Sequence, residues 1–427
     1  MASQASPAPG ESGPHPQAEA EPFDLLLPLR STGNLENPYP AYALIRTVRP
    51  LLELPVPDFD GPGAWLLTRY RDVHHALRDP RFSVERIRAP LIRENLERLP
   101  DFLRQSAQGL RSMLIVDPPD HTRMRKLVNK AFTPKRIAAL RPHIEEIVGQ
   151  LLDAALEAGR FDLIHDLAEP LPAVVIAELL GVPPEDHRQF REWSSQLIAG
   201  IGAPSAAARD TASSASRNLL GYLADTVAAR RREPRDDLIS AMVHAQEESD
   251  VLSDDELLAT SNLLLVAGHE TTTNLIGNGT LALLREPDEW RRLCADPSLL
   301  PSAIEELLRF DGPVQATVRV LLEDVEIDGH VLPKGGLALV NIGSANRDPE
   351  VFPEPDRLDV GRDPNPHLAF GFGTHFCMGA PLARLEAEVA FQALTKRFPD
   401  LALLGDDAQY RPNPVLRGLE RLELSLA

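Results

Sequence analysis

The chain has 427 residues, of which 43% are hydrophobic and 25% charged, a composition ordinary for a folded globular protein and unlike a disordered or membrane-embedded one. Its formal net charge of −19 argues against a nucleic acid as partner, because phosphate binding relies on positive surfaces. Two cysteines are too few for a disulfide framework or a closed zinc site, and they favour a reducing, cytoplasmic environment.

The first 22 residues are rich in Ala, Pro, Gly, Ser and Glu. They contain no basic stretch followed by an apolar core, so we expect neither a signal peptide nor a membrane anchor there. This composition is typical of a disordered tail. The sequence therefore predicts a tail over residues 1–22 and one folded domain over residues 23–427.

Two hairpins and many helices are predicted along the folded part. Residues 51–70 resemble two short strands around the turn at 60–63, and residues 325–333 repeat this pattern around Asp328 and Gly329. Most other segments space their apolar residues as helices do, among them 136–158, 217–232 and 381–398. We predict a mainly α fold with small β-sheets (α+β), in which one large helical domain carries a smaller strand-rich part.

The longest predicted helix covers residues 252–286, starts at a capping box formed by Ser253 and Glu256, and is roughly 50 Å long. Its middle, "AGHETTT", places Gly268, Glu270 and three threonines in apolar surroundings. The glycine alone costs up to ~1 kcal/mol of helix propensity. Residues that oppose local preference inside a buried element indicate a functional site.

The stretch "HLAFGFGTHFCMGAPLAR" surrounds Cys377 with glycines just before a helix predicted to start near Ala380. Free backbone amides at a helix start favour the thiolate, so this sulfur could ligate a metal or act as a nucleophile. Taken alone, it could equally be a structural cysteine in a turn. Gly371, Gly373 and Gly379 would leave room for a flat ligand against the loop.

Four motifs occur together. Phe370, Gly373, Cys377 and Gly379 fit the pattern FxxGxxxCxG, and residues 267–272, "AGHETT", fit (A/G)Gx(D/E)T. Residues 306–309 fit ExxR, and "FPEPDRLD" follows at 352–359. In this order and spacing the chain resembles the cytochrome P450 monooxygenases from about residue 25 to its end, although an ExxR alone would be an ordinary surface ion pair.

The resemblance implies haem b as cofactor, with Cys377 as the axial thiolate ligand of the iron. Glu270 and Thr271 would be catalytic, interrupting the regular hydrogen bonding of the long helix and relaying protons to dioxygen. Four side chains would bind the haem propionates: His121, Arg125, Arg319 and His375. Further cofactor contacts would come from Ala267, Gly268, Phe370, Gly373 and Gly379. A charge network of Glu306, Arg309 and Arg357 would support the haem loop.

Substrate contacts are expected in segments 82–113 and 199–210, and at Leu263, Val266, Val314, Gln315, Val415 and Leu416. These positions are mostly apolar, which favours a lipophilic or mid-sized organic substrate. Electrons would come from NAD(P)H through a ferredoxin reductase and a ferredoxin. The ferredoxin would dock near Arg123, Lys126 and Lys130 despite the overall negative charge.

The resemblance thus implies a haem-thiolate monooxygenase that inserts one oxygen atom by hydroxylation or epoxidation, in secondary metabolism or xenobiotic oxidation. The alternative is a haem-binding protein of the same fold that does not oxygenate and instead recruits a partner. The Glu270–Thr271 pair distinguishes the two, because a protein freed from oxygen activation has no need of these groups in a buried helix. The same pair disfavours a peroxide-using enzyme.

Overall fold

Helices make up most of the residues that the computed structural model describes, which are 36–54, 61–96, 111–200, 206–245, 250–405 and 408–425. The predicted tail over residues 1–22 lies outside these ranges, and the domain boundary at residue 23 stays a prediction. Within the described residues, no helix combines the length and the apolar character that crossing a membrane requires.

The described α-helices follow one another along the whole chain. They are α1 (Tyr39–Val48), α2 (Tyr70–Arg78), α3 (Pro90–Glu94), α4 (Asp120–Ala131), α5 (Pro134–Ala138), α6 (Arg141–Ala158), α7 (Pro170–Leu180), α8 (His187–Ala199), α9 (Ala206–Arg232), α10 (Leu238–Val243), α11 (Asp254–Arg285), α12 (Pro287–Ala295), α13 (Leu300–Asp311), α14 (Ile342–Ala345) and α15 (Ala380–Arg397). Short 3-10 helices occur at Arg86–Arg88, Pro184–Asp186, Pro297–Leu299 and Gly373–His375, and a π-helix at Ile164–Ala168.

The described strands form small sheets. They are β1 (Leu51–Leu54), β2 (Ala64–Leu67), β3 (Phe82–Ser83), β4 (Phe161–Asp162), β5 (Ala316–Leu321), β6 (Val325–Ile327), β7 (His330–Leu332), β8 (Leu337–Asn341), β9 (Ala402–Leu403), β10 (Gln409–Tyr410), β11 (Leu419–Arg421) and β12 (Glu423–Ser425). The largest sheet has the order β1-β2-β8-β5-β3, in which only β2 and β8 run parallel. The mainly α architecture with small sheets is therefore confirmed.

Helix α11 crosses the helical core and confirms the predicted long helix. The hydroxyl of Ser253 accepts from the backbone N–H of Glu256 at 3.2 Å, and the Glu256 carboxylate accepts from the N–H of Ser253 at 2.9 Å, which completes the capping box. Gly279 lies where α11 meets α13 and α15. A Cβ there would stand 2.9 Å from Leu307 Cδ1 and from Phe391 Cζ, so glycine permits this close helix packing.

Both predicted hairpins are confirmed, as the pairs β1–β2 and β6–β7. Asp328 and Gly329 have φ values of 48° and 75°, the left-handed backbone of a type I′ hairpin turn. The helix predicted over 136–158 is wrong in one respect, since the chain forms α5 and then α6 there. Pro142 lies in the first turn of α6, where a proline lacks no hydrogen bond, and this favours a new helix start.

Candidate functional site

Cys377 lies in the loop between the 3-10 helix at Gly373–His375 and helix α15. Its backbone N–H donates to the carbonyl of Phe370 at 2.9 Å, and Pro381 occupies the first turn of α15. Gly371 and Gly373 have φ values of 71° and 69°, which side chains rarely adopt. The backbone conformation of the loop therefore requires glycine at both positions, independently of any ligand.

Packing adds a second reason for glycine at position 373. A Cβ on Gly373 would stand 3.1 Å from the carbonyl oxygen of Leu77 at the end of α2. A Cβ on Gly379 would stand 3.8 Å from the Cys377 sulfur, an ordinary contact. The prediction that these glycines clear space for a flat ligand stays a prediction, and for Gly373 the contact with α2 already explains the residue.

The sulfur of Cys377 is accessible, and the pKa of its thiol reflects two opposing effects. Burial by the surrounding protein raises the pKa of the thiol, while the backbone N–H groups of Gly379 and Ala380 lower it. The expected effect of the helix start is therefore present, but desolvation outweighs it. A metal cation at the sulfur would deprotonate the thiol outright, so a bound metal is the stronger source of thiolate.

Two histidines and two arginines meet beside this loop, as predicted. The rings of His121, in α4, and His375 lie 4.2 Å apart between centroids. Arg125, one turn after His121, donates from Nη1 to the carbonyl of Thr374 at 3.1 Å. Arg319, in β5, is buried, and its charge acts on the pKa of His375.

We call the group formed by His121, Arg125, Arg319 and His375 the cation cluster, and the positive charges in it are not balanced by negative ones. Burial, and to a smaller extent the neighbouring cations, lower the pKa of Arg319 to about 10 and that of His375 to about 3. Within the part of the chain that the structure describes, the Nη1 group of Arg319 donates to Thr317 Oγ1 at 2.9 Å and to the carbonyl of Val318 at 3.1 Å, and to no carboxylate. The Nδ1 atom of His121 is buried without a hydrogen-bond partner among the described residues.

Buried cations without a carboxylate partner are costly, and an anionic ligand would remove that cost. The two propionates of haem b are such groups, and a sulfur ligand for its iron lies in the adjoining loop. The residues present therefore fit haem b.

The middle of α11 carries the predicted acid and alcohol. The carboxylate of Glu270 is buried, forms an ion pair with Nη1 of Arg411, and accepts from Asn274 Nδ2 at 3.3 Å. The hydroxyl of Thr271 donates to the carbonyl of Ala267 at 2.8 Å. The expectation that these residues interrupt the helix is wrong, since α11 is continuous from Asp254 to Arg285 and the Thr271 hydroxyl is satisfied within its own helix.

Arg411 is a site residue that the sequence did not reveal. It follows β10 in the segment "YRPNPV", and its backbone N–H donates to the carbonyl of Gly418 at 2.9 Å. One arginine in an irregular segment 141 positions from Glu270 carries no motif or periodicity that would connect the two.

The charge network around Glu306 forms, with one correction. Arg309 donates from Nε and Nη2 to the two carboxylate oxygens of Glu306, at 2.7 and 2.8 Å. Arg362, and not Arg357, supplies the second guanidinium, with Nε 3.1 Å from both oxygens. The side chain of Arg357 points to solvent, and only its carbonyl joins the network, accepting from Arg309 at 3.3 Å.

Most of the predicted substrate contacts keep accessible surface, whereas Gln315 is buried. Leu263 and Val266 keep accessible surface in the middle of α11, and Val314 pairs with Leu416 through an isolated bridge. Val415, partly buried, accepts from the backbone N–H of Gln315 at 2.8 Å.

The prediction that the side chain of Gln315 contacts the substrate is wrong. It is buried and donates to the carbonyl of Gly312 at 2.8 Å and to the hydroxyl of Tyr39 at 3.3 Å. It therefore packs against α1 instead of offering a substrate contact. Parts of the two predicted substrate segments, 97–110 and 201–205, lie outside the described residues.

Arg123, Lys126 and Lys130 are the three residues predicted to guide a ferredoxin. Arg123 forms an ion pair with Glu256, the residue that also closes the capping box of α11. Lys126 and Lys130 are exposed on α4. The prediction for Arg123 as a docking residue is thus not supported, because its charge is already compensated.

Comparison with known proteins supplies independent information. Residues 209–409 match the family model described as cytochrome P450. The chain is 45% identical over 395 residues to the vitamin D(3) 25-hydroxylase of Pseudonocardia autotrophica, which covers 92% of this chain and 94% of that protein. It is 42% identical to the 6-deoxyerythronolide B hydroxylase of Saccharopolyspora erythraea, over 91% of this chain and 96% of that one.

Solved structures agree with these relatives. The bacillaene polyketide synthase cytochrome P450 PksS of Bacillus subtilis superposes with a TM-score of 0.83 at 41% identity, covering 92% of this chain and 97% of that chain. A Mycobacterium smegmatis structure, CYP164A2 in its ligand-free state, has the same TM-score of 0.83 at 41% identity and covers 94% of this chain and 99% of that chain.

Proposed function

Because this chain belongs to the cytochrome P450 family of haem-thiolate monooxygenases, we propose that it inserts one oxygen atom of O2 into a lipophilic or mid-sized organic substrate. The reaction is hydroxylation or epoxidation, in secondary metabolism. One observation carries the proposal most directly: an accessible cysteine adjoins a group of arginine and histidine side chains in which the buried Arg319 donates to no carboxylate among the described residues. The names of two relatives, both hydroxylases, support the reaction class.

Cys377 would ligate the iron, and His121, Arg125, Arg319 and His375 would hold the two propionates. Haem b, when bound, supplies the activation of dioxygen by two electrons, and a thiolate ligand favours cleavage of the O–O bond. The chain itself would contribute the counter-charges and the sulfur.

Glu270 and Thr271, in the middle of α11, would hold and move protons. Thr271 keeps a proton at Oγ1, where its present acceptor is the carbonyl of Ala267. Arg411 and Asn274 hold the Glu270 carboxylate inside the protein. After Glu270 releases Arg411 and accepts a proton from a water molecule, it can pass that proton towards Thr271, which is general-acid catalysis.

Electrons originate from NAD(P)H and arrive through a ferredoxin reductase and a ferredoxin. The exposed Lys126 and Lys130 on α4 support this docking face, because α4 also carries His121 and Arg125 beside the Cys377 loop. Positive charges on an otherwise acidic protein would orient an acidic electron carrier.

The proposal is tested by isotope labelling. A spectral binding screen first selects a compound that shifts the Soret band, and the enzyme then turns it over with ferredoxin, ferredoxin reductase, NADPH and ¹⁸O₂. We expect one ¹⁸O atom in the product and none derived from water. Product oxygen that comes from H₂¹⁸O, or a selected ligand that is never oxidised, would contradict the proposed function.

Replacing Thr271 with alanine is expected to lower the rate of product formation about 10²-fold, the scale of a lost general acid. NADPH consumption should continue, with hydrogen peroxide in place of product, because haem and substrate binding do not use this hydroxyl. The measurement is product and peroxide formed per NADPH. Thr271→Ser keeps the hydroxyl and serves as the matched control, and an alanine variant as well coupled as the serine variant would remove Thr271 from the proton relay.

A further inference from the structure

Arg86 is a partly buried arginine to which the sequence assigned no role. It begins the 3-10 helix Arg86–Arg88 shortly after strand β3, and its Nε atom is buried without a hydrogen-bond partner among the described residues. Among the described residues its side chain forms no ion pair, and burial lowers its pKa. A guanidinium in this condition is costly unless an anion approaches it.

The nearest acids along the chain are engaged elsewhere. Glu85 accepts from Arg88 Nε at 2.5 Å and from Arg111 Nη2 at 3.0 Å. Asp117 accepts from a serine hydroxyl and a backbone N–H at the end of β3. Neither carboxylate therefore pairs with Arg86.

Two contacts place Arg86 at the edge of the cation cluster. Strand β3 pairs with β5, Ser83 opposite Val320, and the 3-10 helix packs on β5 beside Arg319. The carbonyl of Asp117 accepts from the N–H of His121 at 3.0 Å, which ties the end of β3 to the start of α4. Arg86 is close enough to Arg319 that its charge lowers the pKa of Arg319.

Counting permanent charges identifies the missing anions. The cluster holds three guanidinium groups, those of Arg86, Arg125 and Arg319, and one carboxylate, that of Asp117. Two further negative charges make it neutral, and haem b carries two propionates. Without Arg86 the same sum would leave one buried negative charge in excess.

We propose that Arg86 is a third guanidinium contact to a haem propionate, beside Arg125 and Arg319. This inference rests on the proposed function, because it takes the site to hold haem b. Arg86 binds and positions the cofactor and takes no part in proton transfer. Its charge also stabilises the electron that the haem accepts, since a nearby cation favours reduction.

The test compares Arg86→Gln, Arg86→Lys and Arg88→Gln in the haem-loaded enzyme. Arg88 is the matched control, because it is exposed and paired with Glu85. Transfer of haem to excess apomyoglobin should be about tenfold faster in Arg86→Gln, since hydrogen bonds to charged groups contribute roughly 1.5–3 kcal/mol. The reduction potential of this variant should become more negative. Arg86→Lys should keep the wild-type potential and lose haem at an intermediate rate, and Arg88→Gln should match the wild type in both.

Equal haem-transfer rates and potentials in Arg86→Gln and Arg88→Gln would overturn the inference. Faster haem loss without a shift of potential, and without rescue by lysine, would also overturn it, because it would reveal a packing role. If Arg86→Gln does not fold, the lysine variant decides through the same two measurements. A wild-type protein whose reduced carbon monoxide complex lacks the thiolate band would instead refute the proposed function, so the two failures are distinguishable.

Discussion

Replacing Cys377 with serine is expected to abolish the red-shifted Soret band that the reduced protein gives with carbon monoxide, and to bring product formation below detection. The serine hydroxyl stays protonated at neutral pH, so it cannot supply the charge of a thiolate ligand. Haem binding should weaken without disappearing, because the cation cluster still binds the propionates.

Cys294→Ser is the matched control for this experiment. Cys294 lies in α12 and is partly buried, outside the loop before α15 that would hold the iron. We expect the thiolate band and the activity to be unchanged in this variant. A thiolate band that survives in Cys377→Ser and disappears in Cys294→Ser would refute the assignment of the ligand.

Replacing Arg362 with glutamine is expected to lower the free energy of unfolding by about 1.5–3 kcal/mol, because Glu306 loses a charge-assisted hydrogen bond from Arg362 but keeps its ion pair with Arg309. The side chain of Arg362 is 9% exposed, and that of Glu306 is fully buried. Its Nη1 also donates to the carbonyl of Pro353 at 2.9 Å, so the substitution loosens the segment that precedes the Cys377 loop. Urea unfolding and the haem content of the purified protein measure the two effects.

Arg357→Gln is the matched control, because the sequence analysis had assigned Arg357 to the network around Glu306. Its side chain is 56% exposed and pairs at the surface with Glu354 and Asp359. Surface substitutions of this kind usually change stability by no more than about 0.5 kcal/mol. Losses of similar size in Arg357→Gln and Arg362→Gln would contradict the assignment of Arg362 to the network.

The parts of the site that the sequence predicted are those whose signals lie within one local segment. The loop before α15 combines a cysteine, glycines and a proline-initiated helix within a few residues, and Ser253 with Glu256 defines the start of α11 by local hydrogen bonds alone. Gly279 could not be explained from the sequence, because its reason is the approach of Leu307 and Phe391 from two other helices.

The missed or misassigned residues depend on contacts between distant segments. Arg357 and Arg362 stand five positions apart in an irregular segment, and no periodicity tells which guanidinium turns inward. The role of Arg411 depends on its ion pair with Glu270, and that of Arg86 on its proximity to Arg319, and both partners lie in other elements. Side-chain direction in irregular segments is set by tertiary packing, which local sequence does not encode.

The parallel pairing of β2 with β8 has a consequence for the synthesis of the protein. The register places Ala64 opposite Leu337, so the β1–β2 hairpin leaves the ribosome long before its partner strand exists. Translation at about 5–20 residues per second implies a delay of roughly 15–55 s, during which an apolar strand edge is unpaired. The nascent chain thus carries this unpaired edge from the emergence of β2 until that of β8, and slowing elongation between these two strands would lengthen that exposure.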